Sequence, residues 1–144
     1  MSNVDEVLVA RARAAGETIA PLAATIERER RLPPEAVAAL TEAGVFKLLV
    51  PRAYGGSAAS VATTAAVIEE VARADGSAGW CAMISATSGL MCLYLDDATA
   101  REVYGPAEAA TCGVFAPMGR ASREDGGFRV SGRWPFASGC EYSG

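Results

Sequence analysis

At 144 residues with 51% apolar side chains, the chain is long enough to bury one core and too hydrophobic to stay disordered. A formal charge of −4 without any Lys/Arg cluster argues against nucleic acid as a partner. There is no histidine, and Cys81, Cys92, Cys112 and Cys140 lack Cys-x-x-Cys spacing, which argues against zinc-type ligation and removes the base of a serine hydrolase. Three of these cysteines sit among apolar or small residues and read as small buried hydrophobes. The leader Met-Ser-Asn-Val-Asp-Glu is not a signal peptide, so a cytoplasmic location is expected.

Val4, Leu8, Ala12, Ala15, Ile19, Leu22 and Ile26 recur at helical spacing and predict a first helix with one apolar stripe. Pro21 lacks a backbone donor and is expected to kink or split it. Glu27, Arg28, Glu29, Arg30 and Arg31 mix both signs, as on a solvated face. Pro34 can open a second helix over 34–43, with Ala36, Val37 and Leu40 inward and Gly44 as a left-handed cap. Residues 45–50 read as an apolar connector, followed by a turn at Tyr54-Gly55-Gly56. A third helix is expected over 60–73, with Val61, Ala65, Ile68 and Val71 or Ala72 inward and Glu69, Glu70 and Arg73 outward.

Residues 76–95 carry no charge, and their length approaches the roughly 20 apolar residues that span a bilayer. Ser77, Ser85, Thr87, Ser88 and the interspersed glycines dilute the run, and no basic flank anchors it. It reads instead as a helix buried on most sides, capped by Asp75 or Ser77. A shorter helix over 97–104 starts near Asp96 and stops at Gly105-Pro106. Strand-like runs follow at 111–115, 119–123 and 128–130, with Glu124-Asp-Gly-Gly127 as a hairpin turn. Helices first and strands afterwards predict an α+β chain: an all-α helical bundle domain over 1–108 and the beginning of a β domain over 109–144. The strands lack the partners a stable sheet needs, so the chain is expected to be the front of a larger enzyme.

No phosphate loop or dinucleotide fingerprint is present. Glu69 and Glu70, about 100° apart on a helix, read as a solvent face rather than a carboxylate pair. Trp80 reads first as a core tryptophan and alternatively as the aromatic wall of a substrate pocket. Met83 and Met91 read as core filler. The run Trp134-Pro-Phe-Ala-Ser138 is a poor interior strand, because Pro135 cannot donate to a ladder and glycines flank it. It fits a ligand platform and a ligand-free edge strand about equally.

The order of Ile19-Ala-Pro21, Leu32-Pro-Pro-Glu35, Leu40-Thr-Glu-Ala-Gly44 and Leu49-Val-Pro-Arg-Ala-Tyr-Gly-Gly56, continued by Ile68-Glu-Glu-Val-Ala-Arg-Ala-Asp75, resembles the N-terminal helical domain of the acyl-CoA dehydrogenase superfamily. Two further stretches, Asp75-Gly-Ser-Ala-Gly-Trp80 and Gly127-Phe-Arg-Val-Ser-Gly-Arg-Trp-Pro-Phe-Ala-Ser-Gly139, are similar to its flavin-dependent two-component monooxygenases. Phe115-Ala-Pro117 and Gly119-Arg-Ala121 stand where dehydrogenases usually carry Thr-Glu-Pro and Gly-Ser-Asp.

The resemblance implies a β-barrel-like middle domain, then a C-terminal four-helix bundle beyond residue 144 that covers a flavin and builds a homotetramer. It implies a flavin, FAD or reduced FMN, with Phe136 and Ala137 near the isoalloxazine and Ser138 reaching toward N5. Phe115 and Ala116 map onto the first flavin-contacting strand, and Trp80 would face the substrate. No catalytic residue is expected within the chain, which by itself should be inactive; a histidine in the bundle would assist. The implied reaction is hydroxylation of a small aromatic or polycyclic compound by reduced flavin and O2, with a separate flavin reductase as partner. The alternatives are FAD-dependent acyl-CoA dehydrogenation with an electron-transfer flavoprotein, and a non-catalytic module.

Overall fold

The computed structural model describes residues 4–143. Met1 to Asn3, part of the leader read above, and Gly144, which closes the terminal run, lie outside them. Helix α1 (Glu6–Ile19) starts where the Asp5 carboxylate accepts from the amides of Val7 and Leu8. The Asp5 amide in turn donates to Thr63 Oγ1 at 3.0 Å, pinning this helix start to a distant one. At Pro21 the rod is interrupted by a short 3-10 turn (Ala20–Leu22) and resumes as α2 (Ala23–Glu29), as the missing donor requires. Arg30 ends α2 in the left-handed region, and Arg28 and Arg31 make exposed ion pairs with Glu29. Pro34 is the first residue of α3 (Pro34–Glu42), and Gly44 follows it at φ +75°.

Helix α4 (Val61–Ala74) is capped by Ser60, whose hydroxyl accepts from the Thr63 amide. Its inward face is only partly the expected one. Thr63, Thr64, Val67 and, as expected, Val71 are buried and Ile68 is half-buried, whereas Val61 is 80% exposed, Ala65 is exposed, and Ala72, though exposed, borders Gly79. Thr63 can turn inward because Ser60 and the Asp5 amide satisfy its hydroxyl. Glu70 on the same helix reaches α1, where Arg13 donates to both of its oxygens.

Helix α5 (Gly76–Ser88) is capped by Asp75 and runs into a 3-10 segment (Gly89–Tyr94). It is not buried on most sides. The face that packs holds Ala78, Gly79, Ala82, Ser85 and Ala86, while Trp80, Leu90, Met91 and Leu93 remain exposed. Among the described residues no helix is long and apolar enough to cross a membrane. Helix α6 (Asp97–Tyr104) is capped by Asp96, and its C-terminal carbonyls are held by Lys47. Lys47 is 7% exposed, and its ammonium donates to Gly105 O at 3.4 Å and Pro106 O at 3.1 Å.

The core lies among α1, α3, α4 and α5, built from Ala12, Ile19, Leu40, Val45, Leu48, Val67, Val71 and Ala82. Alanines dominate these seams, so the helices approach closely. Of the cysteines only Cys92 is fully buried; Cys81 and Cys112 are half-buried and Cys140 is exposed.

Residues 111–115 form no strand. The Thr111 amide donates to Ser85 Oγ instead, which lays this segment along α5. Strands β1 (Gly119–Glu124) and β2 (Gly127–Gly132) pair antiparallel, with Glu124 opposite Gly127 and Gly119 opposite Gly132. Asp125-Gly126 makes the turn, and Gly126 takes the φ of +84° that an L side chain resists. Arg129 pairs with Glu124 across the strands. Trp134 lies over the Gly119–Gly132 pair, in line with exposed Val130 and Phe128.

Candidate functional site

The geometry of interest begins at one seam. A Cβ placed on Gly79 would sit 2.5 Å from Ala72 Cβ and 2.7 Å from Ala72 Cα, so α5 lies against α4 only because residue 79 has no side chain. Once that face is turned inward, the helical period turns Trp80 outward. Trp80 is 56% exposed, so the expectation of a core tryptophan fails. Ile84, Thr87 and Met91 succeed it at helical spacing on the same outer face, and Met83 and Ile84 are half-buried while Met91 is exposed.

The indole finds a partner across the chain. Trp80 Nε1 donates to Ser138 Oγ at 3.0 Å, joining residues 58 apart in sequence. Ser138 belongs to a tight reversal in which its own amide donates to Phe136 O at 2.9 Å and the Cys140 amide donates to Ala137 O at 3.1 Å. Phe136 holds the left-handed φ of +62°, sparsely populated for an aromatic residue, and is 94% exposed. The left-handed backbone leaves the Phe136 ring exposed, two residues from the Ser138 hydroxyl.

Beneath Ser138 lies an open cleft of about 270 Å³ between the α2–α3 turn and the terminal segment, with Arg31, Cys81, Ala137, Ser138 and Tyr142 among its walls. Burial pushes the Cys81 thiol up, so it stays protonated and is a poor nucleophile. Burial, with Cys81 beside it, also raises the Tyr142 phenol. Tyr142 stacks on Phe46 at 5.5 Å between ring centres, which anchors the terminal segment to the helical core. Sequence reasoning missed this anchor and the Gly79 seam; the Gly79-Trp80 pair was the only local signal for either.

The structure thus brings together Trp80 and Ser138; Ala137 and Ser138 line the cleft, whereas Trp80 and the 94% exposed Phe136 are outside its lining. It does not bring Phe115 and Ala116 into the cleft: Phe115 is 80% exposed, Ala116 is exposed, and neither lines it. The assembled groups are a hydroxyl, two aromatic rings and small residues, with the charged Arg30, Arg31 and Glu141 at the cleft walls. A flat ligand with hydrogen-bonding edges fits that set, as a flavin is, and any redox chemistry would have to come from the ligand.

The profile described as "Acyl-CoA dehydrogenase, N-terminal domain" matches residues 5–104, and the chain belongs to this family. Its relatives narrow the branch. The chain is 36% identical over 135 residues to the FADH(2)-dependent resorcinol hydroxylase, oxygenase component, of Rhizobium sp. (strain MTP-10005), covering 93% of this chain and 33% of the relative. It is 31% identical over 127 residues to the flavin-dependent monooxygenase, oxygenase subunit HsaA, of Rhodococcus jostii (strain RHA1), covering 88% of this chain and 33% of that one. XiaF from Streptomyces sp., solved in complex with FADH2 and glycerol, superposes with a TM-score of 0.88 at 32% identity over 94% of this chain and 35% of its own. The chain therefore spans about a third of the length of these relatives.

Proposed function

We propose that this chain forms the N-terminal part of the oxygenase component of a two-component flavin-dependent monooxygenase. It would act in the cytoplasm on a small aromatic or polycyclic substrate, with reduced flavin delivered by a separate reductase. Residues 1–108 would be its helical domain and 109–144 the opening of its β domain. The observation that carries the reading is the Trp80–Ser138 hydrogen bond, which ties to α5 a hydroxyl two residues along the chain from the exposed Phe136. The similarity to FADH2-using oxygenase components supports the same cofactor.

The bound reduced flavin would supply two electrons to O2, one oxygen atom entering the substrate as hydroxyl and the other leaving as water. Phe136 and Ala137 would meet the flat ring system, and Ser138 would hydrogen-bond at its N5 edge. Trp80 and the outer face of α5 would form an apolar wall that keeps water from the reacting side. Phe115 and Ala116 are proposed as a second contact, outside the cleft floored by Tyr142. The Lys47 clamp on the end of α6 would hold the two parts of the chain in register.

A chimera tests the reading. Residues 5–143 replace the matching third of the Rhizobium hydroxylase, and the product is supplied with reduced FAD, O2 and resorcinol. Hydroxylation that falls at least tenfold with Ser138→Ala is expected. Reduction of bound FAD by an acyl-CoA, without O2-dependent hydroxylation, would overturn it in favour of a dehydrogenase.

A further inference from the structure

We infer that Trp80 is a positioning residue for Ser138: by donating its indole N–H, it turns the serine hydroxyl hydrogen outward, so that Ser138 faces a bound flavin as a hydrogen-bond donor. The inference deepens the flavin reading and rests on it for the identity of the ligand. A serine hydroxyl has one hydrogen and two lone pairs and rotates to suit its surroundings. At Ser138 one lone pair is taken by Trp80 Nε1 at 3.0 Å. The hydrogen cannot point at that donor, so it is directed elsewhere. No other side-chain hydrogen bond to the Ser138 hydroxyl occurs among the described residues, which leaves its hydrogen available to a ligand acceptor.

The positions of both partners are fixed from behind. Trp80 is held by the Gly79–Ala72 seam, and Ser138 by its reversal and by the stacking of Tyr142 on Phe46. The bond also couples two parts of the chain, since the donor sits on a helix of the helical domain and the acceptor on the terminal segment. Trp80 therefore acts through Ser138 rather than by contact with the reacting atoms. An aromatic wall alone would need only the ring; this role needs its N–H, and the two separate in Trp80→Phe, which keeps a ring and removes the donor.

The experiment uses the ¹⁵N-labelled 144-residue chain, which has two tryptophans, Trp80 and Trp134. Ser138→Ala should shift the Trp80 indole N–H resonance while leaving that of Trp134 in place, and Ser138→Thr should preserve it. FAD and FMN, in the oxidised form whose bare N5 accepts a hydrogen bond and, anaerobically, in the reduced form, are then titrated by equilibrium dialysis into the chimera with the Rhizobium hydroxylase and its variants. Trp80→Phe and Ser138→Ala should each weaken binding by about three- to tenfold, the range expected for one net hydrogen bond. The double variant should be no weaker than Ser138→Ala alone, because the two changes remove one interaction. An indole resonance unmoved by Ser138→Ala overturns the positioning role whatever the flavin does. Trp80→Phe that binds flavin as wild type, while Ser138→Ala does not, overturns it as well. A responsive indole in a chain whose chimera binds neither flavin overturns the flavin reading and the donor role toward it, and leaves only the Trp80–Ser138 contact standing.

Discussion

Gly79→Ala is the sharpest test of how the site is held. The added methyl would lie 2.5 Å from Ala72 Cβ and 2.7 Å from Ala72 Cα. Carbon atoms rest at about 3.5–4.0 Å, so α4 and α5 must part by roughly 1 Å at this point. The atoms it meets belong to a backbone and a Cβ, which cannot swing away as the end of a long side chain would. Because these atoms cannot yield, the clash should fall in the upper part of the range for overpacking, at about 2–3 kcal/mol. Replacing glycine by alanine within a helix contributes about 1 kcal/mol in the other direction. The net loss should be about 1–2 kcal/mol, and Tm should fall by roughly 3–10 °C for a chain of this size. Thermal and urea unfolding followed by circular dichroism measure it. Gly76→Ala is the control: nothing lies within 4 Å of a Cβ there, so no comparable loss should occur. A Gly79→Ala protein as stable as wild type, or a Gly76→Ala protein equally weakened, would refute the seam argument.

Lys47→Met should destabilise by about 1–3 kcal/mol, since the carbonyls of Gly105 and Pro106 lose a buried donor; urea unfolding reads it. Burial lowers the Lys47 pKa, so the unfolded chain binds more protons between the folded and unfolded values, and this residue's contribution rises with pH across that window; the methionine variant should lose that rise. The hydrogen bond from Arg13 holds the Glu70 carboxyl below the usual range, so its contribution is present above the unfolded glutamate pKa and is lost as pH falls through the lower folded value. Glu70→Gln should therefore flatten the fall of Tm on the acid side. Among the described residues the buried Tyr142 hydroxyl has no hydrogen-bond partner other than the weak one of the Cys81 thiol beside it, so Tyr142→Phe should leave stability unchanged or raise it by up to about 1 kcal/mol in the same unfolding assay.

Features settled by near neighbours were readable from the sequence. Asp75 and Asp96 cap the helices that follow them, Pro21 breaks the first rod, and Asp125-Gly126 closes the hairpin, each through contacts within four residues. Faces were harder. On α4 the buried positions include two threonines: Thr63 is satisfied by groups that no periodicity marks, while the Thr64 hydroxyl has no hydrogen-bond partner among the described residues. On α5 the larger apolar residues point outward and the alanines inward, the reverse of a simple hydrophobic ranking, because close approach to α4 selects small side chains. The 111–115 run has strand-like residues, yet Thr111 spends its amide on Ser85. Within the candidate site, the Trp134–Ser138 run was legible as a possible ligand platform from Pro135 and its flanking glycines, the flavin roles of Phe136 and Ser138 came only from the resemblance, and the bond that joins Ser138 to Trp80 spans 58 positions that no local pattern connects.

The β1–β2 hairpin has a kinetic consequence. Its ladder pairs residues at most thirteen positions apart, from Gly119–Gly132 down to Glu124–Gly127, so closing it costs little chain entropy and needs no help from the helical core. Such hairpins form in about 1–10 μs, ahead of contacts as distant as Trp80 with Ser138. Both of its strands are exposed along their whole length, and each has an outer edge not paired to another strand among the described residues. It is thus an early template whose register is set before any neighbour arrives, and a strand added on either side would inherit that register.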